Sequence, residues 1–116
     1  GVAQIAPGQV LVDAPLSGEN GDTWLLREVQ GDFTLVGFGD VLLPDVSGIC
    51  RIGINTRADY PCFTATHNHA MRRYGSPNAY LFRPDGHVCA VFDTPTKEDV
   101  AHAHAKALGA ELEATQ

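Results

Sequence analysis

The sequence predicts an α/β domain on a mixed central sheet, with a β-α-β start, a β-β-α end and a shortened second helix. Three observations carry that expectation. Phe33-Thr34-Leu35-Val36-Gly37-Phe38 is apolar on both alternating faces, as a central strand is when both sides of its sheet are covered. Two β-type runs, 79–83 and 87–92, flank Pro84-Asp85-Gly86, which is the turn chemistry of an antiparallel hairpin. Only residues 39–48 separate the central strand from the next one, and Pro44 stands in their middle.

Along the chain, residues 1–8 read as a linker punctuated by Pro7 and Gly8, residues 9–110 as the domain and 111–116 as a tail. Val10-Leu11-Val12 is a short extended segment, and Gly18-Glu19-Asn20-Gly21 is a turn. Asp22 or Thr23 then caps a short helix carrying Trp24, Leu25, Leu26 and Val29, which Gly31 ends. After the central strand, proline inside a helix costs about 3 kcal/mol or more, so the Pro44 segment holds one or two helical turns at most.

A further strand is expected over 49–55, with Cys50, Ile52 and Ile54 on one face. Residues 56–66 read as a loop, and 67–74 as a short helix ending at Gly75. After the hairpin, Thr94 or Thr96 caps a final helix, with Pro95, Glu98 and Asp99 suited to its first turn and Gly109 to its stop. The element order β-α-β-(short α)-β-α-β-β-α is the thioredoxin plan. A ferredoxin-like arrangement competes with it but gives no reason for the closing β-β-α unit.

Composition bounds the function. The chain has 116 residues, 44% hydrophobic and 19% charged, with a net charge of −6. Its two lysines and six scattered arginines form no basic patch that could collect phosphate contacts, so nucleic acid is not the expected partner. No apolar run has the length of a membrane span. Three cysteines outside any C-x-x-C point to a reduced, cytoplasmic setting. Met71 is the only methionine, and a piece of a longer protein is the expected origin.

The chemistry usual to this plan is missing. A thiol oxidoreductase needs a thiolate at a helix N-terminus, after the strand that here ends near Phe38. That position holds Gly39-Asp40-Val41-Leu42, without a thiol and with a carboxylate that would disfavour a nearby thiolate. Cys62 is the one cysteine expected in an exposed loop, and a single-cysteine thiol enzyme is the reading it leaves open. Cys50 and Cys89 read as small core residues. His67 and His69, and likewise His102 and His104, are two residues apart. On a helix that spacing points side chains about 200° apart, so His102 and His104 do not chelate one ion. His67 and His69 could do so only from an extended segment, and no third ligand is positioned by spacing. No phosphate-loop, dinucleotide or nucleophile-elbow motif occurs, and no catalytic, cofactor-binding or metal residue is assigned.

Several segments carry a family resemblance. They are Pro7-Gly8 with Asp13-Ala14-Pro15-Leu16, Trp24-Leu25-Leu26, Gly31-Asp32-Phe33-Thr34-Leu35, and above all Ala79-Tyr80-Leu81-Phe82-Arg83-Pro84-Asp85-Gly86-His87-Val88-Cys89-Ala90. In this order the chain resembles the C-terminal thioredoxin-like domain of FAD-dependent aromatic-ring hydroxylases, the phenol hydroxylase and 3-(3-hydroxyphenyl)propionate hydroxylase group. The last segment is similar to that family's LVRPDGHVA signature, whereas residues 40–75 contribute little. The resemblance implies a non-catalytic structural or dimerisation domain. FAD and NAD(P)H would act in the preceding flavin and substrate domains of a cytoplasmic monooxygenase. It also marks Pro77, before the hairpin, as a cis-proline. A free-standing, redox-inactive thioredoxin-like binding module is the alternative. With the second helix short, Val41, Leu42, Leu43 and Val46 are expected to form an apolar contact patch, for example in a homodimer.

Overall fold

The computed structural model describes residues 5–114, with side chains as far as Gly109. Two short strands, β1 (Pro15–Gly18) and β2 (Gly21–Trp24), form a hairpin and lead into α1 (Leu25–Val29). Strands β3 (Thr34–Phe38), β4 (Cys50–Ile54) and β5 (Cys62–Ala65) follow, then a 3-10 turn and α2 (His69–Tyr74). The hairpin of β6 (Asn78–Phe82) and β7 (Val88–Phe92) and the long α3 (Lys97–Ala114) complete the chain. The strands lie in the order β2-β1-β5-β4-β3-β6-β7. β4 runs parallel to both β3 and β5, and the remaining pairings are antiparallel. This is the thioredoxin-like mixed sheet that the sequence predicts.

The alternation of side chains along the strands divides the core in two. Val36 and Phe38 of β3, Ile52 and Ile54 of β4, and Tyr80 and Phe82 of β6 pack with Leu25 and Val29 of α1 and Ala70 and Tyr74 of α2. Leu35, Ala79 and Leu81 point to the opposite face, against Val100 of α3 and Leu43, Val46 and Ile49 of the segment after β3.

Several expectations need correction. The first strand is not Val10-Leu11-Val12, where Val10 makes only an isolated bridge to His87, but β1 beside it. Residues 18–21 turn between two strands rather than into a helix, so Trp24 ends β2 and is half-exposed. The α1 N-terminus is capped from a distance: Asp13 Oδ1 accepts the Leu26 N–H at 2.9 Å, while Thr23 turns its hydroxyl to Glu28 at 2.7 Å. The expected loop over 56–66 contains β5, which is short, half-polar and half-buried and so lacks a strand's usual pattern. For α3 the expected cap at Thr96 is present, its Oγ1 accepting the Asp99 N–H at 3.1 Å. The helix then passes Gly109 and runs to Ala114, into the expected tail, because one glycine among alanines costs only about 1 kcal/mol. Of the expected linker, residues 1–4 lie outside the described residues, as do 115–116 of the tail. Ile5 is buried in the core, and the Gly8 N–H donates to the Val88 carbonyl at 2.8 Å.

Candidate functional site

The parallel strands β3 and β4 end side by side, and the Gly39 N–H donates to the Ile54 carbonyl at 2.9 Å. Gly39 has φ +88°, a conformation that disfavours any side chain, and Ser76 Oγ lies where its Cβ would be. Ser76 in turn precedes Pro77 through a cis peptide bond, at the residue the resemblance singles out. The turn after β3 and the loop before β6 therefore meet at this end of the sheet.

No helix forms between β3 and β4. The chain instead folds back onto β3: a Cβ on Gly37 would lie 2.8 Å from Val41 Cγ1 and 3.1 Å from Leu43 Cδ2. Gly37 leaves the space into which these two side chains pack. The expected apolar patch is corrected accordingly. Leu43 and Val46 are buried, Val41 is half-buried against the same cluster, and only Leu42, 91% exposed, faces solvent. With the helix absent, the segment covers the sheet with its own side chains and has few left to present outward.

Beside Leu42 lies an open cleft of about 470 Å³, lined also by Asp40, Arg51, Thr56, Arg57 and Tyr60. The Thr56 hydroxyl donates to Asp40 Oδ1 at 2.8 Å. Arg51 sits 4.8 Å from the Tyr60 ring centroid and donates to the Leu43 carbonyl at 3.3 Å, tying the segment to β4. Burial raises the Tyr60 pKa, reinforced by Cys62 and opposed by Arg51. Where a thioredoxin-type site needs a thiolate and a helix N-terminus, this sheet end offers a carboxylate bonded to a hydroxyl, with no adjoining helix.

The cysteines are distributed differently from the sequence reading. Cys62 belongs to β5 rather than a loop, is half-buried, and donates its Sγ–H to the Tyr60 carbonyl at 3.3 Å. Cys50, expected in the core, is exposed at the start of β4, although Ile49 before it is buried. Cys89 is half-buried on β7.

Four of the five histidines fall into three settings, and His87 lies against Asp85 in the hairpin turn. His67 and His69 have ring centroids 6.1 Å apart, and His69 Nδ1 is 2.9 Å from the Arg72 guanidinium. Desolvation first, then the positive charges of Arg72 and Arg73, lower the His69 pKa. His104 packs edge-on to Phe33 at 4.7 Å, and His102 is exposed. Among the described residues no three His, Cys, Asp or Glu side chains are grouped as a metal would require. No described helix is long and apolar enough to cross a membrane.

No protein-family model matches this sequence, and no curated protein matches it. Solved structures do. A thiol:disulfide interchange protein from Bacteroides sp. superposes with TM-score 0.61 at 14% identity, covering 89% of this chain and 90% of that one. Peroxidoxin BcpB from Mycobacterium tuberculosis superposes with TM-score 0.60 at 16% identity, covering 97% and 99%. The flavin-dependent monooxygenase PieE, solved with FAD and substrate, superposes with TM-score 0.58 at 20% identity over 80% of this chain but only 18% of its own. At these identities the likeness establishes the thioredoxin-like fold.

Proposed function

We propose that this domain is a redox-inactive thioredoxin-like module whose role is binding and packing rather than catalysis. One observation carries the reading: residues 39–46, where thiol chemistry would sit, hold neither a cysteine nor a helix and are packed down on Gly37. Without a helix N-terminus there is no dipole to stabilise a thiolate, and the nearest charged group is the Asp40 carboxylate. The plan is kept, while Leu43 and Val46 after this corner pack into the core and Asp40 and Leu42 stay exposed.

The parent context is a second, finer proposal. The Tyr80-Leu81-Phe82-Arg83-Pro84-Asp85-Gly86-His87-Val88 resemblance, together with the match to part of a flavin monooxygenase, favours the C-terminal domain of an FAD- and NAD(P)H-dependent aromatic-ring hydroxylase. FAD and substrate would then belong to preceding domains of the parent, and this chain supplies contacts to them. A glycine-rich dinucleotide-binding strand-turn-helix upstream in the reading frame supports that parent, and its absence overturns it.

Turnover tests the module itself. The purified chain, supplied with dithiothreitol, leaves the rate of disulfide reduction in a model substrate such as insulin, and of peroxide consumption, at the uncatalysed level. Catalysis abolished by Cys62→Ser would instead establish the single-cysteine enzyme.

A further inference from the structure

We infer that the cationic surface of the 3-10 turn before α2, and of α2 itself, is a docking site for an acidic peptide segment of a partner protein. The assignment rests on the reading of the domain as a binding module, and names the surface that binds and the chemistry of what it binds. It lies apart from the residues after β3.

Charge is unevenly spread along this chain. No Asp or Glu occurs between Asp59 and Asp85, although the whole carries a net charge of −6. All but Arg83 of the Arg and His side chains in that stretch fall on the turn and α2, as His67, His69, Arg72 and Arg73. The helix packs on β1, β3 and β5, toward the opposite edge of the sheet from β7 and the segment paired to it.

The cationic groups are gathered by particular contacts. His67 and Asn68 both take the left-handed conformation, with φ 51° and 60°, which residues bearing a Cβ seldom adopt in succession. His67 and Arg72 are exposed, and the His67 ring stands 6.1 Å from that of the half-buried His69. Arg72 is always protonated, so His69 Nδ1 accepts its hydrogen bond at 2.9 Å and the ring keeps a donor N–H at Nε2. Arg73 donates to the Asp13 backbone carbonyl, while the Asp13 carboxylate accepts the Ala14 and Leu26 N–H groups instead. Neither arginine is ion-paired among the described residues. After desolvation, the influences on His69 are those of Arg72, Arg73 and His67, all of one sign.

This surface calls for a ligand with several carboxylates. A single exposed ion pair is weak, because water and salt screen it, whereas several carboxylates on one segment act together. A nucleic acid fits less well. Duplex DNA carries a charge about every 1.7 Å and would run from this small patch onto a chain whose 14 acidic residues all lie outside the stretch. A short acidic segment ends where the patch ends.

Fluorescence anisotropy of labelled hexaglutamate, titrated at low salt with the whole 116-residue chain, tests this. A chain of this net charge repels a polyanion on average, so binding reports the local patch. A Kd below about 1 mM is expected, weakening as salt is raised. Arg72→Glu should weaken binding about tenfold or more, and Arg72→Lys, which keeps the charge, by about threefold or less. Lys106→Glu, an equal charge change at an exposed position of α3, should stay within about twofold of wild type. Arg72 is exposed too, so unchanged far-UV circular dichroism keeps a folding defect apart from a docking defect. Absence of binding at about 1 mM, equal effects of Arg72→Glu and Lys106→Glu, or equally tight binding of a single-stranded oligonucleotide of the same charge would each overturn the site. Failure to bind leaves the absence of disulfide turnover untouched, and turnover leaves these titrations untouched, so the two proposals fail separately.

Discussion

On the face beneath α1 and α2, Phe38 is stacked on Tyr74 at 4.6 Å and meets Tyr80 edge-on at 5.6 Å, while Tyr80 and Phe82 stack at 6.0 Å. The polar ends of these rings are satisfied: Tyr80 Oη donates to the Tyr74 carbonyl at 3.0 Å, and Tyr74 Oη accepts the Val12 N–H at 3.0 Å. Burial pushes the Tyr74 hydroxyl well above its ordinary range. The face beneath α3 has no comparable cluster. That side holds Val100, alanines of α3, Leu43, Val46 and Ile49, with Phe33 buried and Tyr60 and Phe92 only partly buried. Large rings in contact bury more apolar surface per side chain than alanines do, so the first face carries more of the stability. The second is covered by smaller side chains and adjoins the edge strand β7. The contrast teaches that a non-helical β3–β4 connection leaves the two sides of such a sheet unequally covered.

Substitutions can break this comparison. The largest effect is expected at Tyr80→Ala, which removes a fully buried ring and its hydrogen bond and should cost about 3–5 kcal/mol in urea unfolding. A loss near 1 kcal/mol would show that the aromatic face is not the dominant one.

A neighbouring pair sharpens the account of the other face. Leu43→Ala empties a buried site and should cost about 2–3 kcal/mol, whereas Leu42→Ala, one residue earlier and exposed, should stay within about 0.5 kcal/mol. Equal effects would contradict the folded-back geometry.

The smallest effect is expected at the Arg83–Asp85–His87 turn. Burial raises the Asp85 pKa, but hydrogen bonds from the His87 backbone and ring, with the Arg83 charge, outweigh it and hold the carboxyl below its usual value. A depressed carboxylate stabilises the fold at neutral pH, and this contribution disappears as the pH falls through its folded-state pKa. Because the group is half-exposed, Asp85→Asn should cost only about 0.5 kcal/mol at pH 7, and the difference from wild type should vanish in acid.

Much of this architecture is legible in the residues. The doubly apolar run at Phe33-Thr34-Leu35-Val36-Gly37-Phe38 marks β3, Pro84-Asp85-Gly86 marks the hairpin, and Pro44 marks the interrupted connection. The hidden parts share a physical cause. β1, β2 and β5 are four residues each and partly polar, β2 is mostly exposed, and the β1–β5 pairing joins segments distant in the chain, so no local pattern marks them. The cap on α1 comes from Asp13, twelve residues before the helix begins, and local capping rules point to the wrong side chains. At the candidate site the missing thiol is plain from Gly39-Asp40-Val41-Leu42. That Leu43 and Val46 turn inward is not, because it depends on the space above Gly37.

Residues 39–49 join β3 to β4 as non-helical chain, with Leu43, Val46 and Ile49 packed in the core. NMR of the labelled protein reads this directly. The account predicts non-helical carbon shifts over 40–47, Leu43 and Val46 methyl contacts to the α3-side core, and a Leu42 methyl open to solvent. Helical shifts across Asp40 to Val46, with Leu42 rather than Leu43 in the core, would contradict it.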